Sequence, residues 1–415
     1  MIEILKQTSD QLKKGVFIIT LNANSARIRC PIPTSELERR WDLVRLAMKV
    51  QGIDLLIMQN DNQYLGGYVR YFTDIPSEQA YPVTVIFSTD EEMTVITSGG
   101  DPTPPLPPEW AVRGVKQRIA APYFRSLNYT HDLDANIAIK VIKDSKAKKL
   151  GIVGFGTISA AFYQHLKDNL NEVEIVNATD LVDEIKAIKS ETEIGFIRKA
   201  VHIHDVAMSA VPSILRPGRN EYEIRAELQK ILVELGSEEQ LIMLGSDVHG
   251  KRTPHFHSFY QHRQIQAGDN LFVMIEANGP GGYYAEIGRT WCLGEPTKEL
   301  LYAWDVALEA QKIAASLLKP GAKPGEILKA NNDFMVSKGY LPEGRLFGHG
   351  QGYDLVERPA LVENEDIELK SGMVLAVHPI AFNDQAYAFC CDNYLITDTG
   401  VELLQKTPQK IMVIE

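Results

Sequence analysis

Cysteine is scarce in this chain. Only Cys30, Cys292, Cys390 and Cys391 occur, too few and too scattered for a disulfide framework, and no Cys-x-x-Cys is present. Adjacent Cys390 and Cys391 would bridge each other only with strain. The expectation is a reducing compartment and a cytoplasmic protein. Positive charge is short as well. Lys and Arg number 43 against 54 Asp and Glu, a formal net charge of -11, and nothing basic clusters. That argues against nucleic acid or an anionic membrane as partner. No apolar run approaches the roughly 18 residues that span a bilayer. The first ten residues lack the apolar core of a signal peptide. Internal repeats and low-complexity tracts are missing too.

What is there is ordinary globular composition, 45% hydrophobic and 23% charged. The length of 415 residues suggests about two domains, each able to bury its own core. Residues 1–34 form a prefix ending in Pro31-Ile-Pro-Thr34. Glu36 to Gln51 predicts a helix with Leu43, Leu46, Ala47 and Val50 at 3/4 spacing, stopped by Gly52. Short apolar runs at 53–58, 81–88, 93–98 and 149–153 predict strands, and 159–170 and 179–189 predict helices. This alternation is the pattern of an α/β domain. Ser190 with Glu193 is a capping box that opens the next helix. We place the boundary there, giving domains 1–188 and 189–415. Later helices at 221–236, 300–317 and 324–338 accompany strand-like segments at 347–353, 373–379 and 393–397. The second half therefore reads as α+β, helices on an antiparallel sheet.

Within it, residues 268–291 stand out. Leu271 to Ile275 suits a buried strand, Asn278-Gly-Pro-Gly-Gly282 is turn chemistry, and Tyr283 to Trp291 reads as the returning strand. Alternation puts Tyr284, Glu286, Gly288 and Thr290 on one face. A carboxylate at Glu286, inside an apolar strand, needs a partner or a job. It either pairs with Arg289 or serves a site.

These residues, together with Ile188-Lys-Ser-Glu-Thr-Glu-Ile194, Lys319-Pro-Gly-Ala322, Gly348-His-Gly-Gln-Gly352 and Leu369-Lys-Ser-Gly-Met-Val374, resemble the creatinase/aminopeptidase P/methionine aminopeptidase family. The resemblance covers nearly the whole chain. It implies a pita-bread C-terminal domain, helices on a curved antiparallel sheet, behind an α/β N-terminal domain. The metal-dependent members use two aspartates with ten residues between them, a histidine from the Gly-His-Gly turn, and two later glutamates. Here those positions fall on Ile275, or on Glu276 after a one-residue slip, then Glu286, His349, His378 before Pro379, and Cys391 beside Asp392. The set is poor in hard carboxylates for a dinuclear centre. His257, in Pro254-His-Phe-His257, falls at the family's catalytic histidine. Creatinase is the metal-free member and relies on that histidine.

The leading expectation is thus a creatinase-like hydrolase. It would cleave a C–N bond in a small polar metabolite without a cofactor, with His257, Glu286, His349 and His378 as catalytic groups. Imidazole is suited to both halves of proton transfer near neutral pH. Alternatives are an Xaa-Pro-type metallopeptidase with Glu276, Glu286, His349, His378 and Asp392 as a remodelled ligand set, a single divalent transition metal on two histidines and a carboxylate, a metal-dependent lyase, or a non-catalytic binding protein. Tyr283 and Glu357 are candidates for substrate contact, although Tyr283 could simply pack and Glu357 could pair with Arg358. Arg70, Tyr71 and Phe72, read as part of a loop, are expected to cap the site of a partner subunit in a homodimer.

Overall fold

The structure, a computed structural model, describes residues 28, 30–60, 62–253 and 258–414. The chain enters through helix α1 (Thr34–Gln51), which ends where Gly52 turns left-handed at φ 64°, a conformation glycine adopts without strain. Its buried face is not the apolar stripe expected from the sequence. Leu43, Leu46 and Val50 are exposed, while Leu37, Arg40, Trp41, Val44 and Met48 are buried. The reason is Arg40, which is fully buried yet satisfied. It donates to Glu36 at 3.0 Å and to the Tyr283 hydroxyl at 2.7 Å. A buried arginine with partners far along the chain is invisible to a hydrophobic pattern.

After α1 come β1 (Leu55–Asn60), α2 (Gly67–Thr73), β2 (Val83–Ser88), β3 (Met93–Ser98), β4 (Val115–Ala121), α3 (Leu133–Ser145), β5 (Lys149–Ile152), α4 (Ala160–Asn169), β6 (Glu174–Asn177) and α5 (Thr179–Ala187). The strands form one mixed sheet in the order β4-β3-β2-β1-β5-β6. Both of its faces are covered. Phe162 and Leu166 of α4 and Ala138 and Ile142 of α3 share one apolar cluster with Leu55, Ile57 and Leu150. Two elements, β4 and α3, lie in a stretch that the sequence left unassigned.

The loop expected around Arg70, Tyr71 and Phe72 is helix α2, and all three side chains are buried in their own chain. Arg70 pairs with Glu238, Phe72 lies edge-on to Phe87, and Tyr71 lies under the Arg40 guanidinium. Capping a partner's site would require exposure that these side chains do not have.

The second half opens with α6 (Glu191–Ile214), whose Ser190–Glu193 capping box is formed in both directions. It continues through α7 (Glu221–Glu234), β7 (Gln240–Asp247), β8 (Asn270–Asn278), β9 (Tyr284–Leu293), α8 (Lys298–Leu317) and α9 (Pro324–Ser337). Short strands complete it: β10 (Gly348–Gly350), β11 (Glu357–Ala360), β12 (Val374–Val377), β13 (Ile380–Phe382), β14 (Tyr387–Phe389), β15 (Asp392–Thr397), β16 (Gly400–Leu403) and β17 (Met412–Ile414). Among the described residues two larger sheets result, β17-β9-β8-β7 and β11-β10-β12-β15-β16. Alternation along β8 and β9 divides the work. Leu271, Val273, Ile275 and Ile287 pack on Ile203, Met208 and Leu228 of the helices. Phe272 and Met274 face the other way, onto Tyr387, Phe389 and Cys391. Each fully buried side chain of this kind contributes about 1.5–3 kcal/mol. The sheets are joined where Gly288 and Cys391 form an isolated antiparallel bridge. The expected division at 188/189 falls in the connection between α5 and α6, and one apolar cluster, from Leu37 to Tyr353 and Leu395, runs across it.

Candidate active site

Glu286 is the third residue of β9 and is buried. Its face of the strand looks onto the second sheet, which brings His349 from β10 and His378 from the end of β12. His349 Nε2 lies 3.3 Å from Glu286 Oε1, and His378 Nε2 lies 3.9 Å from Oε2. The three side chains each present a ligand atom within 4.8 Å of the others. His349 Nδ1 is 3.0 Å from the Gly350 carbonyl. A carbonyl can only accept, so the proton sits on Nδ1 and the Nε2 lone pair points at Glu286. The ring of His378 stacks on Phe389, with centroids 5.6 Å apart.

A relay of amides holds the carboxylate. Gln351 Nε2 donates to Glu286 Oε1 at 2.7 Å. Asn393 donates to the Gln351 side-chain oxygen. The Asn393 oxygen in turn accepts from the Glu286 backbone N–H at 2.9 Å and from Gln405 Nε2 at 2.8 Å. Gln405 Nε2 also donates to the Glu286 carbonyl. These supports lie 65 to 119 residues from Glu286 in sequence, and sequence reasoning missed them. Only Gln351 carried a signal, as part of the Gly-His-Gly-Gln-Gly turn.

The register of the hairpin settles the choice between Ile275 and Glu276. Glu276 stands directly opposite Glu286, whereas Ile275 stands opposite Ile287 and points into the helix layer. A side chain one residue away along a strand faces the other side of the sheet, so Glu276 is the acid on the site's face. Burial pushes its carboxyl up to about 7. Burial, and then the neighbouring Glu276, raise Glu286 well above the usual carboxylate range, against hydrogen bonds from Cys391 and Gln351. Burial lowers His349 to about 4. It also lowers His378, with His349 and Arg345 adding to the effect. The site therefore combines neutral imidazoles with carboxyl groups reluctant to ionise. A cation would reverse that reluctance.

Other expectations need correction. Asp392 does not face the cluster. It pairs with Arg289 at 2.6 Å, both fully buried, and accepts from Gln311 and Gln409. Arg289 is thereby committed away from Glu286, as residues three apart on a strand must be. The Tyr283 hydroxyl donates to Glu193 at 2.8 Å and accepts from Arg40, so it is part of the core. Glu357 is buried between Lys186 at 3.2 Å and Lys189 at 2.9 Å, while Arg358 pairs with Asp180, Glu365 and Asp366. His257 lies outside the described residues.

One rim residue was not anticipated. The Arg345 side chain, 41% exposed, donates to the His378 carbonyl at 2.8 Å and places Nη1 3.4 Å from His378 Nδ1. It puts a flexible guanidinium beside the cluster.

Comparison with known proteins agrees with this geometry. Residues 195–398 match the profile described as metallopeptidase family M24. An uncharacterized peptidase, MJ0806 of Methanocaldococcus jannaschii, is 32% identical over 256 residues, 58% of this chain and 70% of that one. The probable dipeptidase PepE of Mycobacterium tuberculosis is 30% identical over 60% of this chain, and the match spans 66% of the relative's length, just under two thirds. The Xaa-Pro dipeptidase of Pyrococcus furiosus is 27% identical over 66% of this chain and 77% of its own. Dipeptidase PepE from Mycobacterium ulcerans superposes with a TM-score of 0.73 at 22% identity, covering 92% of this chain and 99% of that one. The fold is the pita-bread fold behind an α/β N-terminal domain. The chain belongs to metallopeptidase family M24. No helix among the described residues is long and apolar enough to cross a membrane.

Proposed function

We propose that this protein is a peptidase that hydrolyses short peptides, dipeptides of the Xaa-Pro type among them, with a single divalent transition metal held by Glu286, His349 and His378. The observation that carries this reading is the convergence of those three ligand atoms within 4.8 Å. The names of the dipeptidase relatives support it, and it replaces the metal-free, creatinase-like reading as the leading one. Among the described residues three ligand atoms converge, those of Glu286, His349 and His378, which is a set for one ion; Asp392 is spent on Arg289. Two imidazoles and one carboxylate suit a borderline cation. When bound, such a cation supplies Lewis acidity at the peptide carbonyl.

The chain's own groups do the rest. His349, fixed by the Gly350 carbonyl, offers its Nε2 lone pair. Glu276, on the same face, stands where it can pass a proton to the leaving nitrogen. Arg345 at the rim receives the free carboxylate of a short peptide. We also infer a homodimer in the cytoplasm. Four free cysteines support a reducing compartment, and light scattering at micromolar concentration tests the dimer.

The direct test is to strip the protein with a chelator, reload it with Zn, Mn or Co, and assay a panel of dipeptides. Hydrolysis is expected to return at about one equivalent of metal. Undiminished activity in the stripped protein would restore the metal-free reading. No cleavage of any peptide with any cation would remove the peptidase.

Arg345 gives a second expectation. Because it can only donate, it disfavours a proton on His378 Nδ1, and its charge opposes that of a nearby cation. Arg345→Met should therefore tighten metal binding by about tenfold, one pKa unit's worth of interaction. The same change should raise KM for a dipeptide and leave KM for its C-terminal amide nearly unchanged. Calorimetric metal titration and steady-state kinetics read the two effects separately. Weaker metal binding, or equal effects on both substrates, would count against these roles.

A further inference from the structure

We propose that Cys391 is a fourth ligand of this centre, so that the site is thiolate-containing and prefers zinc and cobalt over manganese. The proposal rests on the single-cation reading above.

Cys391 Sγ lies 3.6 Å from Glu286 Oε2, the same oxygen that faces His378 Nε2 at 3.9 Å. The thiol is fully buried. Its neighbour Cys390 is turned the opposite way, with Sγ 3.6 Å from Gln311 Oε1 and 3.5 Å from Asp392 Oδ2. Extended backbone sends successive side chains to opposite sides, so only one of the two cysteines can look at the cluster.

Its position is fixed from three sides. The Gly288 N–H donates to the Cys391 carbonyl at 3.2 Å, and the Cys391 N–H returns the bond at 3.3 Å. Arg289 Nη1 donates to the same Cys391 carbonyl at 3.0 Å. Gly288 leaves the space that the thiol needs. A Cβ there would stand 3.1 Å from Cys391 Cβ and 2.6 Å from the Phe389 ring. The sulfur is thus held beside Glu286 by bonds from an adjacent strand.

The chemistry follows from the ligand type. A thiol next to a divalent cation gives up its proton to solvent and binds as thiolate. No electron is transferred, and the sulfur–hydrogen bond is replaced by a sulfur–metal bond. Thiolate is a soft donor, and soft donors favour zinc and cobalt over manganese, which prefers oxygen.

The test is a cobalt titration of the metal-free full-length protein, followed by absorption spectroscopy. The wild type should develop an intense near-ultraviolet sulfur-to-cobalt charge-transfer band together with the weaker visible ligand-field bands. Cys391→Ser should keep ligand-field bands and lose the charge-transfer band. Its zinc affinity should fall by at least the roughly 10- to 100-fold that even outer-shell partners cost, while its manganese affinity should change little. Cys390→Ser should keep the band. Cys391→Asp should move the preference toward manganese. The wild-type spectrum decides the matter even if both Cys391 variants fail to fold. Ligand-field bands without a charge-transfer band in the wild type would overturn the thiolate ligand and leave the single-cation reading standing. No cobalt binding at all would overturn both.

Discussion

Glu286→Gln is expected to abolish metal binding and hydrolysis together while leaving the fold intact. The amide keeps the shape of the side chain and can still accept from Gln351 Nε2, now at 2.7 Å from Oε1. What it loses is the negative charge between His349 and His378. We expect bound metal to fall from about one equivalent to near zero at micromolar protein. kcat/KM should fall at least about 10³-fold, close to 4 kcal/mol at 1.36 kcal/mol per tenfold. The stability of the metal-free variant should move the other way. The Glu286 carboxyl is raised in the folded state, so its contribution is present at pH below the unfolded carboxylate pKa and is lost as pH rises through the folded value. The amide has no such loss, and near pH 7 metal-free Glu286→Gln should melt no lower than the metal-free wild type. Calorimetry on both stripped proteins, beside metal analysis and kinetics, checks all three. A variant that melts well below the wild type would mean that the carboxylate serves the core, not a cation.

Much of this was legible in the chain because it is local. Leu271 to Ile275 reads as a strand on composition alone, and the capping box at Ser190 and Glu193 is a four-residue signal with a direct backbone consequence. His349 was legible through its two flanking glycines. Gly348 has Leu361 against the place of a side chain, and Gly350 has the Arg358 carbonyl there. The errors share one physical cause, which is that chain counting does not contain register. Counting left the first acid position open between Ile275 and Glu276, and the pairing of β8 with β9 brings Glu276 to the site. Arg40, Tyr283, Glu357 and Asp392 find their partners in the interior: Arg40 on Glu36 and Tyr283, Glu357 on Lys186 and Lys189, and Asp392 on Arg289. Their partners lie as far as 313 residues away, on elements whose proximity only the fold creates. The same is true of Asn393 and Gln405, whose amides look like ordinary surface residues until the two sheets close on Glu286.

The second large effect concerns how the site is held against the N-terminal half. Lys186 at the end of α5 pairs with Asp354 at 3.0 Å and Glu357 at 3.2 Å, and Lys189 adds a bond to Glu357 at 2.9 Å. Asp354 also accepts the Gly67 N–H at the start of α2. All four charged side chains are buried. Against burial, which raises it, Lys186 and Lys189 hold Glu357 down to about 2. Its contribution to stability is therefore complete above the unfolded carboxylate range and is lost as pH falls from there toward 2. A buried pair is worth little against a well-packed apolar pair, but one orphaned partner is costly. Lys186→Met should thus destabilise the protein by about 3–5 kcal/mol. Lys186→Met combined with Asp354→Leu should recover a good part of that loss, with Lys189 left to neutralise Glu357. Because Asp354 and Glu357 follow directly on the turn that carries His349 and Gln351, the single variant should also bind metal more weakly. Denaturant unfolding of the two single variants and the double one supplies the cycle. A double variant whose loss equals the sum of the two single losses would show that the charges do not act as a pair, and the lock between the two halves would then lie in the apolar cluster and in contacts such as Arg40–Tyr283 and Arg70–Glu238.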